Sequence, residues 1–249
     1  MVSFKPPLLN LSLLLPLQLC SLTGLATLVM PSAIAQSIPD RWNTHEYQPP
    51  ADIGTLGRRD TGGTRGDMSQ CPVRQLKAVT PTNSFAVTVQ PYPTFFFYVP
   101  RQLSQAPQAE FVLQDDQDHE LYKSTFKMTE KSNLVRMSIP DTAGLPPLQI
   151  GKDYRWSLTV ICNPTDDEKN LVVYGVIRRV PLSAGLNAQL MQTAPEQRAD
   201  VYASAHIWQD ALTTLADLRH ARPHDLTIEE QWRKLLNSVD LREVANETF

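Results

Sequence analysis

Gly151-Lys-Asp-Tyr-Arg-Trp-Ser-Leu-Thr-Val-Ile-Cys162 is the stretch that decides the fold class. Tyr154, Trp156, Leu158, Val160 and Cys162 fall on one side of a period-2 alternation. Arg155, Ser157 and Thr159 fall on the other, with Ile161 the exception. Side chains on a strand point alternately to opposite faces, so this pattern predicts a half-buried strand with an aromatic, branched inner face. Such a strand belongs in the middle of a β-sandwich.

The same reading, carried outward, predicts strands at 73–79, 85–89, 94–99, 110–113, 120–124, 134–139, 154–162 and 171–180. Turn signals separate them: Pro81-Thr-Asn83, Pro91-Tyr-Pro93, Pro100, Asp115-Asp116 and Pro140-Asp-Thr-Ala-Gly144. Thr94-Phe-Phe-Phe-Tyr-Val99 is apolar on both faces. It therefore reads as a central strand whose second face is covered by another element.

Beyond Pro181 the apolar period changes from 2 to 3.6. A short helix is expected over 183–193, and Pro195 sits where a first helical turn tolerates proline. Val201, Tyr202, Ala205, Trp208, Ala211, Leu212, Leu215 and Leu218 make one apolar stripe, which Pro223 ends. Asp225 or Thr227 can cap a last helix carrying Ile228, Trp232, Leu235, Leu236 and Val239. The expected architecture is α+β: an Ig-like antiparallel β-sandwich over 71–182, followed by a C-terminal α-helical hairpin within the region 183–249. Tyr202, Trp208 and Trp232 are its candidate interaction surface.

The first 35 of the 249 residues read as a secretory signal peptide. Lys5 supplies the positive end, a leucine-rich run spans 8–30, and Ala33-Ile-Ala35 is an A-x-A-like cleavage site. This predicts a secreted or periplasmic protein with no transmembrane segment after cleavage. Loss of Lys5 takes the 23 basic residues to 22 against 26 acidic, a net charge near −4. That balance is unlike the basic footprint of a nucleic-acid binder. Cys71 and Cys162 then remain, and in an exported chain a lone pair of cysteines is most simply a disulfide.

Residues 36–70 read as an extended leader rich in proline, glycine and arginine. Within it Arg58, Arg59 and Arg65, set among glycines, form a candidate anion-binding loop. It is not a P-loop, because the Gly-Lys-Ser/Thr ending is missing. The acidic runs Asp115–Glu120 and Asp166–Glu168 read as solvated hairpin tips rather than metal sites. No Gly-x-Ser-x-Gly or His-Glu-x-x-His occurs. No catalytic, cofactor-binding or metal-ligating residue is therefore singled out, and no cofactor is expected.

Several segments together resemble a known family. They are Gly57-Arg-Arg with Gly62-Gly-Thr-Arg-Gly66, Cys71-Pro72, Pro93-Thr-Phe-Phe-Phe-Tyr-Val-Pro100, Ala109-Glu-Phe-Val-Leu113, Pro147-Leu148 with Gly151-Lys-x-Tyr-x-Trp156, Cys162-Asn-Pro164, and Ile207-Trp-Gln-Asp-Ala-Leu212. In that order they resemble the cyanobacterial domain-of-unknown-function family 928, from about Gly57 to the C-terminus. The resemblance implies an exported cyanobacterial protein and transfers no catalytic residue. The chain departs from the family at Asp60-Thr61, where glycine is commoner, and at His206, where glycine usually precedes Ile207-Trp208.

The expected function is a non-enzymatic binding or assembly module of the cell envelope that recognises another protein. Two rivals stand beside it. A glycan-binding module would use exposed rings of Trp156, Trp208 or Phe95–Tyr98. A hydrolase would need a concave pocket with converging titratable groups.

Overall fold

The computed structural model describes residues 56–60, 75–99, 108–128, 132–142 and 144–247. The expected signal peptide, Arg65 and Cys71 lie outside these residues. Eight strands are present among the described residues: β1 (Lys77–Ala78), β2 (Phe85–Thr88), β3 (Thr94–Tyr98), β4 (Gln108–Gln114), β5 (Glu120–Lys127), β6 (Leu134–Ser138), β7 (Asp153–Ile161) and β8 (Leu171–Arg179). They form a three-stranded sheet, β1-β3-β6, and a five-stranded sheet, β2-β8-β7-β4-β5. This is the β-sandwich expected from the alternation, and helices follow it.

β7 is the centre of the larger sheet, between β8 and β4. Its Tyr154, Trp156, Leu158 and Val160 are buried, while Arg155 is exposed. Across the sandwich, Phe95 and Phe97 of β3 meet Trp156 at 5.8 Å between ring centroids. They meet Phe111 of β4 at 4.9 and 6.3 Å. Tilted and edge-on pairs of this kind add to the burial that holds two sheets together. Gly175 lies opposite Trp156 in register. A Cβ there would stand 2.4 Å from the Ser84 carbonyl oxygen and 2.5 Å from the Trp156 ring. The indole occupies the space a side chain would need.

One pairing departs from the antiparallel expectation. β2 runs parallel to β8, with Phe85 opposite Val176 and Thr88 opposite Arg179. The cause is a change of sheet between β1 and β2. The Ser84 N–H closes a turn onto the Pro81 carbonyl at 2.8 Å, and Ser84 takes a left-handed φ of 58°. The chain leaves the small sheet there and joins the large one.

Part of the expected leader is also built into the sandwich. Arg58 exchanges both backbone hydrogen bonds with Tyr174 at 2.9 Å, and Asp60 bridges to Lys77 of β1. Lys77 pairs with Asp60 at 2.9 Å and also with Glu243. Gly57 is required for this approach, because a Cβ would lie 2.5 Å from the Ser84 side chain.

Four α-helices follow: α1 (Ala184–Gln192), α2 (Arg198–Ser204), α3 (Trp208–Ala221) and α4 (Leu226–Asn237). Ser183 caps α1 by accepting from the Leu186 N–H. Pro195 opens a 3-10 turn that leads into α2. Asp225 caps α4, accepting from the N–H groups of Thr227 and Ile228. The expected hairpin is α3 with α4. The apolar stripe from Val201 to Leu218 is not one helix, because it breaks at His206. That residue takes a φ of 58°, and the Ile207 N–H bonds back to the Tyr202 carbonyl at 2.9 Å. The left-handed turn is why glycine fits there, and this chain makes it with histidine.

α3 packs on the sandwich and α4 packs on α3, and β3 is buried on both sides. Arg136 of β6 stands 5.8 Å over the Phe96 ring and pairs with Asp217 of α3. Between the helices, Arg219 is 7% exposed, forks onto Glu229 at 2.6 and 3.0 Å, and lies 5.1 Å from the Trp232 ring. A smaller cluster of Phe85, Val87, Val89, Val176 and Ile207 joins the β2 edge to the turn between α2 and α3.

Candidate functional site: a polar cleft at Asp210

Ile207-Trp-Gln-Asp-Ala-Leu212 docks the helices onto the sandwich, and three consecutive side chains do it. Trp208 donates from Nε1 to the Val79 carbonyl at 3.3 Å. Gln209 donates from Nε2 to the Thr94 carbonyl. Asp210 accepts at Oδ2 from the Thr88 hydroxyl at 2.8 Å and the Val89 N–H at 3.1 Å. Thr88 Oγ1 in turn accepts from the Gln90 N–H at 3.0 Å. These bonds satisfy the backbone where β2 ends and β3 begins, so the turn Gln90–Pro93 is held against the first turn of α3.

A cleft of about 300 Å³ opens at this seam. Gln90, Tyr92, Tyr202, Asp210, Thr214 and Asp217 are among its walls. Asp210 itself is 4% exposed. Its second oxygen, Oδ1, is buried and makes no hydrogen bond. Burial pushes the carboxyl up to about 6, against the favourable interactions of the Thr88 hydroxyl, the Val89 N–H and the Gln90 side chain with its charged form. The nearby charges are already engaged. Asp217 is held by Arg136. Arg179 donates to the carbonyls of Val89 and Leu148, and Arg198 to that of Thr193. Tyr202 also faces Asp210, and burial followed by that carboxylate raises its phenol. Among the described residues no cation pairs with Asp210.

The residues singled out from sequence fall elsewhere or serve the fold. Trp208 is 1% exposed and Trp232 is fully buried. The candidate interaction surface is therefore corrected: both indoles are core, Trp208 against the sandwich at Val79 and Trp232 between the helices beside Arg219. Tyr202, half-buried, is the member of that set that reaches the cleft. Trp156 and Phe95–Tyr98 are likewise buried, so none of these rings is open to a sugar. Of the candidate anion loop, Arg58 and Arg59 lie among the described residues, and both bond backbone carbonyls. Arg59 donates to the Val239 carbonyl at 2.6 Å, just past α4, where a helix end favours a cation. Arg58 donates from Nε to the Asp60 carbonyl at 3.1 Å. Arg65, the third member, falls outside the described residues, as does Cys71. Cys162 lies half-buried just past β7, and its N–H donates to Asn170. In the acidic tip, Asp115 accepts from the N–H groups of Gln117 and His119 and so closes its own turn. Among the described residues no helix is long and apolar enough to cross a membrane.

Asp210 was not picked out by motif. Its chemistry depends on Thr88 and Val89, more than a hundred residues away, and the one sequence signal was its place in the segment Ile207–Leu212.

A family model described as Domain of Unknown Function (DUF928) matches residues 60–249. No curated protein matches the chain. Among solved structures, the fn3 domain of human collagen alpha-1(XX) chain is similar at 9% identity and a TM-score of 0.25. That match covers 49% of this chain and 93% of the other.

Proposed function

The chain belongs to the DUF928 family, and on that premise we propose that it is an exported, non-enzymatic binding module of the cell envelope that recognises another protein through the Asp210 cleft. The observation that carries this reading is the buried Asp210 carboxylate in the cleft lining, with one oxygen locked into the fold and the other buried without a hydrogen-bond partner. A buried polar group is costly unless it is satisfied, so an incoming donor would gain what the free protein lacks. The expected signal peptide and the Cys71–Cys162 disulfide fit an exported protein and belong to the same proposal.

The test is capture of partners from a native envelope extract by residues 36–249, beside a Thr214→Trp variant. Thr214 is half-exposed on the cleft wall, so the indole would fill the cleft without entering the core. A partner retained by the wild type and lost by the variant is the expected result. Equal capture by both would remove the cleft from the recognition surface, and no capture by either would refute the module.

The hydrolase reading has one observation in its favour, a raised carboxyl in a cleft. Its second carboxylate, Asp217, is exposed and already held by Arg136. Turnover of an ester or glycoside panel that disappears in Asp210→Asn would establish the hydrolase over the binding module.

A further inference from the structure

We propose that the Asp210 cleft is a binding site for a primary ammonium group, carried by a lysine side chain, a protein N-terminus or a free alkylamine. The inference rests on the reading of the cleft as a recognition site and names the chemistry it takes.

Asp217 on the wall is paired with Arg136, so the uncompensated charge of the lining is Asp210. Asp210 and Asp217 both face the cleft, and no Lys, Arg or His is among its walls. Asp210 Oδ2 is saturated by Thr88 and Val89, whereas Oδ1 has no partner. An ammonium brings both a compensating charge and three donors, while an alcohol brings one donor and no charge. Tyr92 and Tyr202 supply rings to the walls, and ring faces attract a cation. The Tyr92 hydroxyl donates to the Leu145 carbonyl at 3.1 Å, which fixes that ring in place. A volume of about 300 Å³ accommodates an alkylammonium chain. A metal ion needs more anionic ligands than are present: among the described residues no cluster of three His, Cys, Asp or Glu could hold one.

The experiment titrates n-butylammonium chloride and, separately, n-butanol into the isotopically labelled protein, residues 36–249, at constant ionic strength. The backbone amides of Val89 and Asp210 report, since the first donates to Asp210 and the second belongs to it. Saturable shifts are expected with n-butylammonium, at least tenfold tighter than with n-butanol. Asp210→Asn keeps an acceptor for Thr88 and Val89 but removes the charge, and should weaken binding at least tenfold. Thr214→Lys lies one helical turn from Asp210 on a half-exposed position. Its tethered ammonium should block the titration, which keeps the test decisive if Asp210→Asn misfolds.

A blocked lysine tripeptide separates the sources. Binding as tight as n-butylammonium supports an ammonium borne by a protein, and a tenfold preference for the free amine supports a small-molecule ligand. Equal affinity for n-butanol, no saturable shift in the folded wild type, or undiminished shifts in both variants would each overturn the proposal. Partner capture lost in Thr214→Trp without any ammonium titration would leave the binding module standing and sink this inference alone. Ammonium binding without any captured protein would do the reverse.

Discussion

Asp210→Asn replaces a buried carboxylate by a neutral amide of nearly the same shape. The amide oxygen can still accept from Thr88 and Val89, so the docking of α3 survives. What changes is the proton balance. Burial raises Asp210 to about 6 in the folded protein, against 3.8 for an exposed carboxyl. Below pH 3.8 the group is protonated in both states and contributes nothing. Between 3.8 and 6 the unfolded chain ionises while the folded one keeps its proton, so stability falls as pH rises. Above 6 the full penalty stands. A gap of about two pK units corresponds to roughly 3 kcal/mol. The advantage of the Asn variant over the wild type should therefore grow by roughly 2–3 kcal/mol between pH 4 and pH 7.5 and then level off. Taking the difference cancels Asp115 and Glu196, whose carboxyls are lowered by backbone hydrogen bonds and respond in the opposite sense. Urea unfolding followed by tryptophan fluorescence at a series of pH values measures it, since Trp208 and Trp232 are buried reporters. A difference that stays constant with pH, or a wild type that gains on the variant as pH rises, would refute the reasoning. Asp210→Ala is the control. It orphans two donors and should be less stable than Asp210→Asn at every pH, by about 1–3 kcal/mol per donor.

His206→Gly removes a side chain from a left-handed position and should raise the unfolding free energy by about 1 kcal/mol in urea; a loss would show that the imidazole holds the turn. Gly175→Ala pushes a methyl into the Ser84 carbonyl and the Trp156 ring. It should cost about 2–3 kcal/mol in the same assay, and an unchanged midpoint would contradict the packing at that strand pair. Cys71 and Cys162 should resist alkylation in denatured protein until a reductant is added, as read by mass spectrometry. Reduction should then cost about 4 kcal/mol by the chain-entropy argument for so long a loop.

The sandwich was legible because strands write a period-2 code. All eight strand positions were readable from apolar patterning and turn residues, and the cap of the last helix was narrowed to Asp225 or Thr227 by its chemistry alone. Three features were not. The change of sheet at Ser84 leaves no mark in local hydrophobicity, since β2 is equally apolar on either sheet. The break at His206 is hidden because the apolar stripe continues through it, and only the backbone conformation divides α2 from α3. The candidate interaction surface failed for a related reason. An aromatic on a helical stripe looks the same whether it faces solvent or another layer, and here Trp208 and Trp232 are both buried in the core.

What the sequence determined by itself was local: where side chains alternate, where they recur every three or four residues, where a turn or cap can form. It also determined family membership, because an ordered set of short segments is a property of sequence. What only the tertiary structure decided was which elements face each other. Burial and hydrogen bonding at Asp210 depend on residues 88–92 and 202–217 meeting at one seam. The meeting follows from packing a helical layer on a sheet, an interaction between surfaces that no stretch of the chain encodes alone.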